Sequence, residues 1–545
     1  VFAPAARVPL AGLLLALPAL AATGLLSCAR EVYGKLPAGF YGLETMLLEG
    51  VLRALAGQPR AEGAGRFAPV DLGRVLGMDR APEVKTIRRK IGQLTARGRA
   101  GDLLAGMAAH HLGRPGAASR DEDLGLVLYV DGHVRAYQGT KKIAKTHLSR
   151  LRFPAPATVE TWISDAAGDP VLVVMSAPGA SLAMELRSLL PQLRKAVGDD
   201  RRVLVGFDRG GWSPALFAHM AEHGFDVLTW RKGHTENVAG DLFAETVSID
   251  ETGREHHWIL ADTIVELPIK NGGGTYPMRQ VTRLDTKKGL TKQVHVLTTR
   301  TDLPAVEIMY RMGSRWRQEN YFRYARGHLG LDSHDSYAAS QDDPDRSVPN
   351  PAKRHSHLAV QNATARVERE RARTDAALLA ARTPTPGQAG VVVTNTLHNA
   401  LTADLHAAED DLAAARADHK HVPARVRLGD LAPGQQVLDT ETKLIHHAIR
   451  IAAFNTTTAI ARDIRINTGY ARADQEAYTL ARQALTQPGD IIPDEAAGTL
   501  TIRLDPLPTS RETDAIAELC EHLTATRTTY PGTDLTLRYE IKNRT

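Results

Sequence analysis

The sequence predicts an α/β protein: a mixed sheet flanked by helices, interrupted by a β-rich insertion, with mainly α-helical N- and C-terminal regions. Three observations lead there. Residues 124–130 (LGLVLYV) and 203–207 (VLVGF) are short, almost unbroken apolar runs of the kind that form buried strands. Helical patterns at 181–196 and 213–223 alternate with such runs. Between 239 and 300 the helical pattern stops, and four or five strand-like pieces (ETVSI, HWILA, TIVEL, VHVLTT) follow one another across polar or glycine-rich turns.

The elements before the sheet read as helices. Residues 8–29 are apolar enough for a signal peptide or a membrane span. Arg7 is the only basic residue ahead of the run, Pro18 interrupts it, and no second span follows, so a buried pair of core helices is expected. The chain begins at Val1 and not at a methionine, which leaves room for residues upstream. After the loop at 58–66, a helix over 69–77 and another over 83–94 are joined by the turn MDRA. Val84, Ile87, Ile91 and Leu94 give the second helix one apolar stripe, and Lys85, Arg88, Arg89 and Lys90 occupy its other faces. This helix-turn-helix-like arrangement fits a DNA recognition helix, and it fits a basic, solvated helix equally well.

Within the sheet region, 158–164 and 171–176 read as a hairpin around DAAGDP, and 227–230 as a further strand. Helical pattern resumes after the insertion, with Asp302 as N-cap and Pro304 in the first turn. A polar linker and a charged helix near 357–382 come next. Leu397, Leu401, Leu405, Ala408, Leu412 and Ala415 then form the seam of a helical hairpin or coiled coil. Helices near 439–463 and 470–487 and a small strand-helix-strand unit close the chain. The expected domains are therefore 1–119, 120–337 with its insertion at 239–300, 338–430 and 431–545.

Composition narrows the function. Two cysteines, Cys28 and Cys520, exclude a disulfide framework and a four-cysteine zinc site, and a reducing, cytoplasmic setting is expected. The net charge is only +5, yet residues 79–99 and 131–152 each carry a local +5 and residues 309–328 a local +4. Clusters of this kind suit a phosphate-rich partner, and each taken singly suits a solvated helix face.

Three carboxylates stand out. Asp131 directly follows the first apolar run and precedes Gly132, a pair that also makes hairpin turns. Asp208 ends the second run, in GFDRGGW, where it could cap a turn. Glu319 lies in YRMGSRWRQENYFRYARGHLGLD, at the next position of an apolar stripe through Met309, Met312 and Trp316, so its carboxylate is expected to point inward. Two acids at strand ends and one on a facing helix are what a two-metal site needs, because Mg2+ and Mn2+ take hard oxygen ligands.

These three motifs resemble those of DDE-type insertion-sequence transposases, in the branch with a β-strand insertion before the final Glu. The last motif of that branch reads Tyr, Arg, Glu, then Lys or Arg. Arg315, Glu319 and Arg326 fit its last three positions, while Met312 stands at the Tyr position with Tyr310 nearby. The acids are 77 and 111 residues apart, room enough for the insertion. The resemblance covers about 120–335 well and the flanks loosely. It implies an RNase H-like core with Asp131, Asp208 and Glu319 as catalytic, metal-binding residues. It further implies two Mg2+ or Mn2+ ions, cleavage and strand transfer at the ends of a mobile element, and a homodimer on double-stranded DNA. No membrane partner is expected. Lys85, Arg88, Arg89, Lys141, Lys142, Lys145, Arg315 and Arg326 are the expected DNA contacts. Trp212, Trp230 and Trp316 read as core residues, one of which could stack on an unpaired base. His133, His328 and His334 read as hydrogen-bonding residues, and the pairs at 110–111, 256–257 and 446–447 as surface. The alternative is a transposase-derived DNA-binding protein without catalysis.

Overall fold

The computed structural model describes residues 2–37, 39–114, 124–148, 152–233, 235–250, 253–269, 274–287, 290–383, 393–467 and 474–543. Its contacts gather into two units, one made of 1–137, 146–338 and 438–545, the other of 138–145 and 339–437.

The first unit begins with β1 (Ala5–Val8) and the helices α1 (Leu17–Ala22), α2 (Leu25–Tyr33), α3 (Leu43–Leu55), α4 (Pro69–Val75), α5 (Val84–Thr95) and α6 (Ala100–Leu112). The apolar N-terminal run is core, as expected: Leu13, Leu14, Leu15 and Leu25 are fully buried. Among the described residues no single helix is long and apolar enough to cross a membrane, and the run is bent by 63° between 22 and 25.

Next come β2 (Leu126–Ala136), β3 (Lys145–Leu148), β4 (Phe153–Asp165), β5 (Pro170–Met175), α7 (Leu182–Val197), β6 (Val203–Phe207), α8 (Pro214–Glu222) and β7 (Phe225–Trp230). Four long strands follow, β8 (Ala244–Ile249), β9 (Glu255–Pro268), β10 (Thr275–Lys287) and β11 (Leu290–Thr298), then α9 (Ala305–Ser314) and α10 (Trp316–His328). All ten strands share one sheet, in the order β3-β4-β2-β6-β7-β11-β10-β9-β8, with β5 also paired to β4. β2 is antiparallel to β4 and parallel to β6, and β6 is parallel to β7. β11 joins β7 antiparallel, so the insertion extends the central sheet and is no separate body.

The helix starts follow local chemistry. Ser181 and Ser213 cap α7 and α8, each accepting a backbone N–H of its helix's first turn, and Pro214 opens α8. Asp302 is not the N-cap of α9. Pro304 holds that place, and Asp302 pairs instead with Arg300 at 2.8 Å and Arg202 at 3.0 Å. Two strongly basic neighbours outbid a single orphan amide for one carboxylate.

The second unit holds β12 (Ala339–Gln341), β13 (Ser347–Pro349), the helical hairpin of α11 (Pro351–Arg382) and α12 (Asn395–His421), then β14 (Arg425–Arg427), α13 (Leu428–Leu431) and β15 (Gln436–Leu438), whose last residue falls in the first unit. Val367, Ala408 and Leu412 make the hairpin seam, with Leu405 partly buried beside them. The chain closes in the first unit with α14 (Thr440–Asn467), α15 (Asp474–Leu485), β16 (Gly489–Asp494), β17 (Thr499–Leu504), α16 (Ser510–Ala525) and β18 (Thr536–Ile541). Residues 470–473 of the helix expected near 470–487 lie outside the described residues. The N-terminal strand β1 pairs with β16, at the edge of a sheet ordered β1-β16-β17-β18. Residues 1–119 and 431–545, divided from the central region in the sequence, thus largely share its unit, because α14 passes through one continuous apolar core.

Candidate active site

The apolar runs determine where the first two acids fall. β2 and β6 are adjacent and parallel, and Val130 is in register with Phe207. The next residue of each chain is an acid, so Asp131 and Asp208 stand side by side. Tyr129 and Asp131 project to one face of β2 by the twofold period of a strand. Trp162, the cross-strand partner of Asp131 on β4, lies on that face too.

Asp-Gly at 131–132 makes no turn. β2 continues to Ala136, with Gly132 opposite Thr161 and His133 opposite Glu160. Pairing with the long strand β4 overrides the turn preference of the dipeptide. Asp208 does close its strand and caps a short 3-10 turn through Gly210 N–H at 2.8 Å. Asp131 Oδ1 accepts the Gly132 N–H at 2.9 Å. Burial pushes the Asp131 carboxyl up, Arg315 opposes the shift, and the charge of Asp208 adds to it.

α9 and α10 sit over this face. The Tyr129 hydroxyl donates to the Arg311 carbonyl at 2.7 Å, which ties the end of α9 above β2. The Tyr129 ring lies so close to β6 that a Cβ on Gly206 would come within 2.7 Å of it, so only glycine fits there. Gln318, fully buried, donates to the Trp162 carbonyl at 3.2 Å. Between these anchors Arg315 reaches Asp131 Oδ2 at 3.1 Å and lies 3.8 Å from Glu319 Oε1. One guanidinium therefore gathers Asp131 and Glu319, beside Asp208.

Glu319 does not point inward: its side chain is 65% exposed. The apolar stripe through Met309 and Met312 belongs to α9, which ends at Ser314, and α10 restarts with a different phase. Its buried positions are Gln318, Tyr321, Phe322 and Ala325, and Trp316 is 57% exposed.

The expected DNA contacts divide. Lys85, Arg88 and Arg89 are exposed on α5, but Lys90 is buried and donates to the Pro37 carbonyl at 3.2 Å. Arg88 pairs with Glu62 and borders a cleft of about 560 Å³ whose other wall is the segment 332–337 after α10. Lys141, Lys142 and Lys145 belong to the second unit, where Lys142 donates to the Pro433 carbonyl at 2.6 Å. Arg326 lies 3.4 Å from His133 Nδ1 and 3.8 Å from Asp332. Much of the basic clustering is thus neutralised internally, as with Arg135 on Glu160 and Arg311 on Glu307.

Three histidines read as surface are buried. His111 is 2.9 Å from Asp165, and His446 and His447 lie within the core. His447 belongs to a polar layer that the sequence reading missed, with Glu160, Arg135, Lys443, Asp335 and Arg450. One sign was available: Lys443, His447 and Arg450 recur at helical spacing within an otherwise apolar run.

The donor chemistry of Asp131, Asp208 and Glu319 suits a hard divalent cation, since all three offer carboxylate oxygen; Arg315, between Asp131 and Glu319, is a positive charge that such an ion would have to displace. Among the described residues, the group of three ligand side chains close enough together to share one ion is His219, Glu222 and His223, neighbours at the end of α8 and largely exposed; Asp131, Asp208 and Glu319 are not drawn that close. A comparison with curated proteins finds no match. The sequence model of one family, described as transposase protein, matches residues 1–543. The chain belongs to that transposase family.

Proposed function

We propose that the protein is a DDE-type transposase with an RNase H-like core, cutting DNA at the ends of a mobile element and joining those ends to a target. One observation carries the reading: Asp131 and Asp208 directly follow the in-register pair Val130 and Phe207 on adjacent parallel strands, and Arg315 bonds Asp131 while lying 3.8 Å from Glu319. The run of antiparallel β5, β4 and β2 continuing into parallel β6 and β7 supports the RNase H-like reading.

Asp131, Asp208 and Glu319 would hold two Mg2+ or Mn2+ ions. Such ions would supply the polarisation that activates a water or 3′-hydroxyl for in-line attack and stabilises the leaving oxygen. The chain's own residues supply the rest. Backbone N–H bonds from Gly132 and Gly210 fix one oxygen of each aspartate, and Arg315 holds the other oxygen of Asp131. Arg315 offsets part of the upward push that burial gives the Asp131 carboxyl, and its guanidinium would meet a phosphate oxygen if a cation took its place there. The exposed face of α5, with Lys85, Arg88 and Arg89, is the proposed DNA-reading surface, and double-stranded DNA the partner.

The test is cleavage of end-containing duplex DNA with Mg2+ by the wild type and by Glu319→Gln and Asp208→Asn. Both variants are expected to bind the ends and to lose cleavage by at least about a thousandfold. Equal cleavage by Glu319→Gln would remove Glu319 from the site. Binding by a wild type that does not cut under any of these conditions would favour a DNA-binding protein without catalysis.

A further inference from the structure

α14 carries charged side chains where a core helix carries apolar ones. Lys443, His447, Arg450 and Phe454 recur at spacings of four, three and four, which is one helix face, and all four are buried. That face meets residues 329–335, the segment by which the chain leaves the Glu319 helix. Arg450 Nε donates to the Leu329 carbonyl at 2.8 Å. Lys443 Nζ donates to the carbonyls of Leu331 and Ser333 at 3.0 and 2.5 Å. The two outer nitrogens of Arg450 hold both oxygens of Asp335 at 2.8 and 2.7 Å, and Lys443 lies 3.1 Å from the same carboxylate.

One turn further along α14, Phe454 packs edge-on against Tyr321 and Tyr324 of α10, with ring centroids 5.0 and 5.4 Å apart. On its other side the segment is fastened to β2, the strand of Asp131. His133 bonds Asp332 at 2.9 Å, His334 donates to the Ala136 carbonyl at 3.2 Å, and Arg135 reaches the Ser333 carbonyl at 3.4 Å. Loop carbonyls in a dry interior need donors that no helix or strand ladder provides. Lys443 and Arg450 provide them here, and they do so between the helix of one acid and the strand of another.

We infer that Lys443 and Arg450 are positioning residues for the active site, holding segment 329–335 so that α10 keeps Glu319 over Asp131 and Asp208. The inference rests on the reading of those acids as catalytic. It makes the C-terminal region part of the active-site scaffold and not an appended tail.

The experiment compares the full chain with its Lys443→Met, Lys443→Arg and Glu319→Gln variants in three measurements: affinity for end DNA, cleavage rate at saturating DNA with Mg2+, and amide exchange along 325–337. For Lys443→Met, affinity is expected to stay within about twofold while cleavage slows on the order of tenfold to a hundredfold. Exchange in 329–335 is expected to quicken about tenfold without a matching change in α5. Lys443→Arg is expected to recover most of the cleavage rate. Wild-type cleavage and exchange in Lys443→Met would overturn the inference, and so would equal losses of binding and cleavage with exchange rising throughout the chain. If Lys443→Met does not fold, Arg450→Lys, which keeps the charge but cannot span both Asp335 oxygens, stands in for it. Wild-type cleavage by Glu319→Gln would instead overturn the catalytic reading, whatever Lys443 does.

Discussion

Replacing Glu160 by Gln tests how firmly the polar layer beneath the site is held. Glu160 is fully buried, with Arg135 at 2.7 Å, Trp162 Nε1 at 3.1 Å, His447 at 3.2 Å and Lys443 at 4.0 Å. Burial alone would raise its carboxyl, but His447, Lys443 and Arg135 together hold it well below the usual carboxylate range. A lowered folded value means that its contribution to stability is complete above the unfolded value of about 4.3 and is lost only as pH falls through the lowered one. At pH 6 the contribution is therefore whole. Glutamine keeps the shape and one acceptor oxygen but removes the charge, which strands Arg135 and Lys443 in the core at a cost of about 3–5 kcal/mol. Lys443 can relieve part of this. Burial, then Arg450, pushes its ammonium down to about 7, so at pH 9 it is already neutral in the wild type and has less to lose. In a unit of this size about 1 kcal/mol moves the unfolding midpoint by roughly 2 °C, so the variant should melt about 5–10 °C lower at pH 6 and by about half that deficit at pH 9. Thermal unfolding followed by circular dichroism at the two pH values reads this directly. A deficit under about 2 °C at pH 6, or a larger one at pH 9, would refute the argument that this carboxylate neutralises the layer.

Two further outcomes follow from the geometry. Arg89→Ala should weaken end-DNA binding more than Arg88→Ala does, because Arg88 is already paired with Glu62; the double variant should reduce the slope of log affinity against log salt by up to about 1.8. An unchanged slope, measured by gel shift across a salt series, would take α5 out of the interface. Arg315→Gln should tighten Mg2+ binding by roughly tenfold, since it removes the guanidinium at 3.1 Å from Asp131, while cleavage should not rise. Titration followed by thermal shift decides it, and weaker binding in the variant would show that Arg315 props the acids in place.

Legibility in the sequence tracked how local each signal is. The runs at 203–207 and 124–130 were visible because a buried strand is a contiguous statement about hydrophobicity, and the acids directly after them inherit their placement from it. The Asp-Gly pair showed the limit of that logic. A dipeptide preference is decided within two residues, but whether β2 ends at 131 is decided by β4, some thirty positions away. The placement of Lys141 and Lys142 in the second unit was hidden for a related reason, because sequence proximity to Asp131 carried no information about which unit the loop joins. The polar layer was hidden by composition, since its charges are shared among β2, β4, the 329–335 segment and α14, and neutrality is reached only in three dimensions.

Glu319 is the instructive case. A stripe through 309, 312, 316 and 319 assumes one unbroken helix, and on that assumption its carboxylate should be buried. The chain instead breaks at Arg315, where α9 is fastened to Tyr129 and α10 takes a new phase with Gln318 turned inward. A buried Glu319 would need a partner within the core and could not meet a cation or a phosphate without one. An exposed Glu319, one residue beyond the Gln318 anchor, is held by its backbone and lies 3.8 Å from Arg315, with its carboxylate open to solvent. The break that defeated the periodicity argument is thus what leaves this carboxylate at the surface. Arg315, at the break itself, bonds Asp131 at 3.1 Å and lies 3.8 Å from Glu319, so one guanidinium joins the strand to the helix.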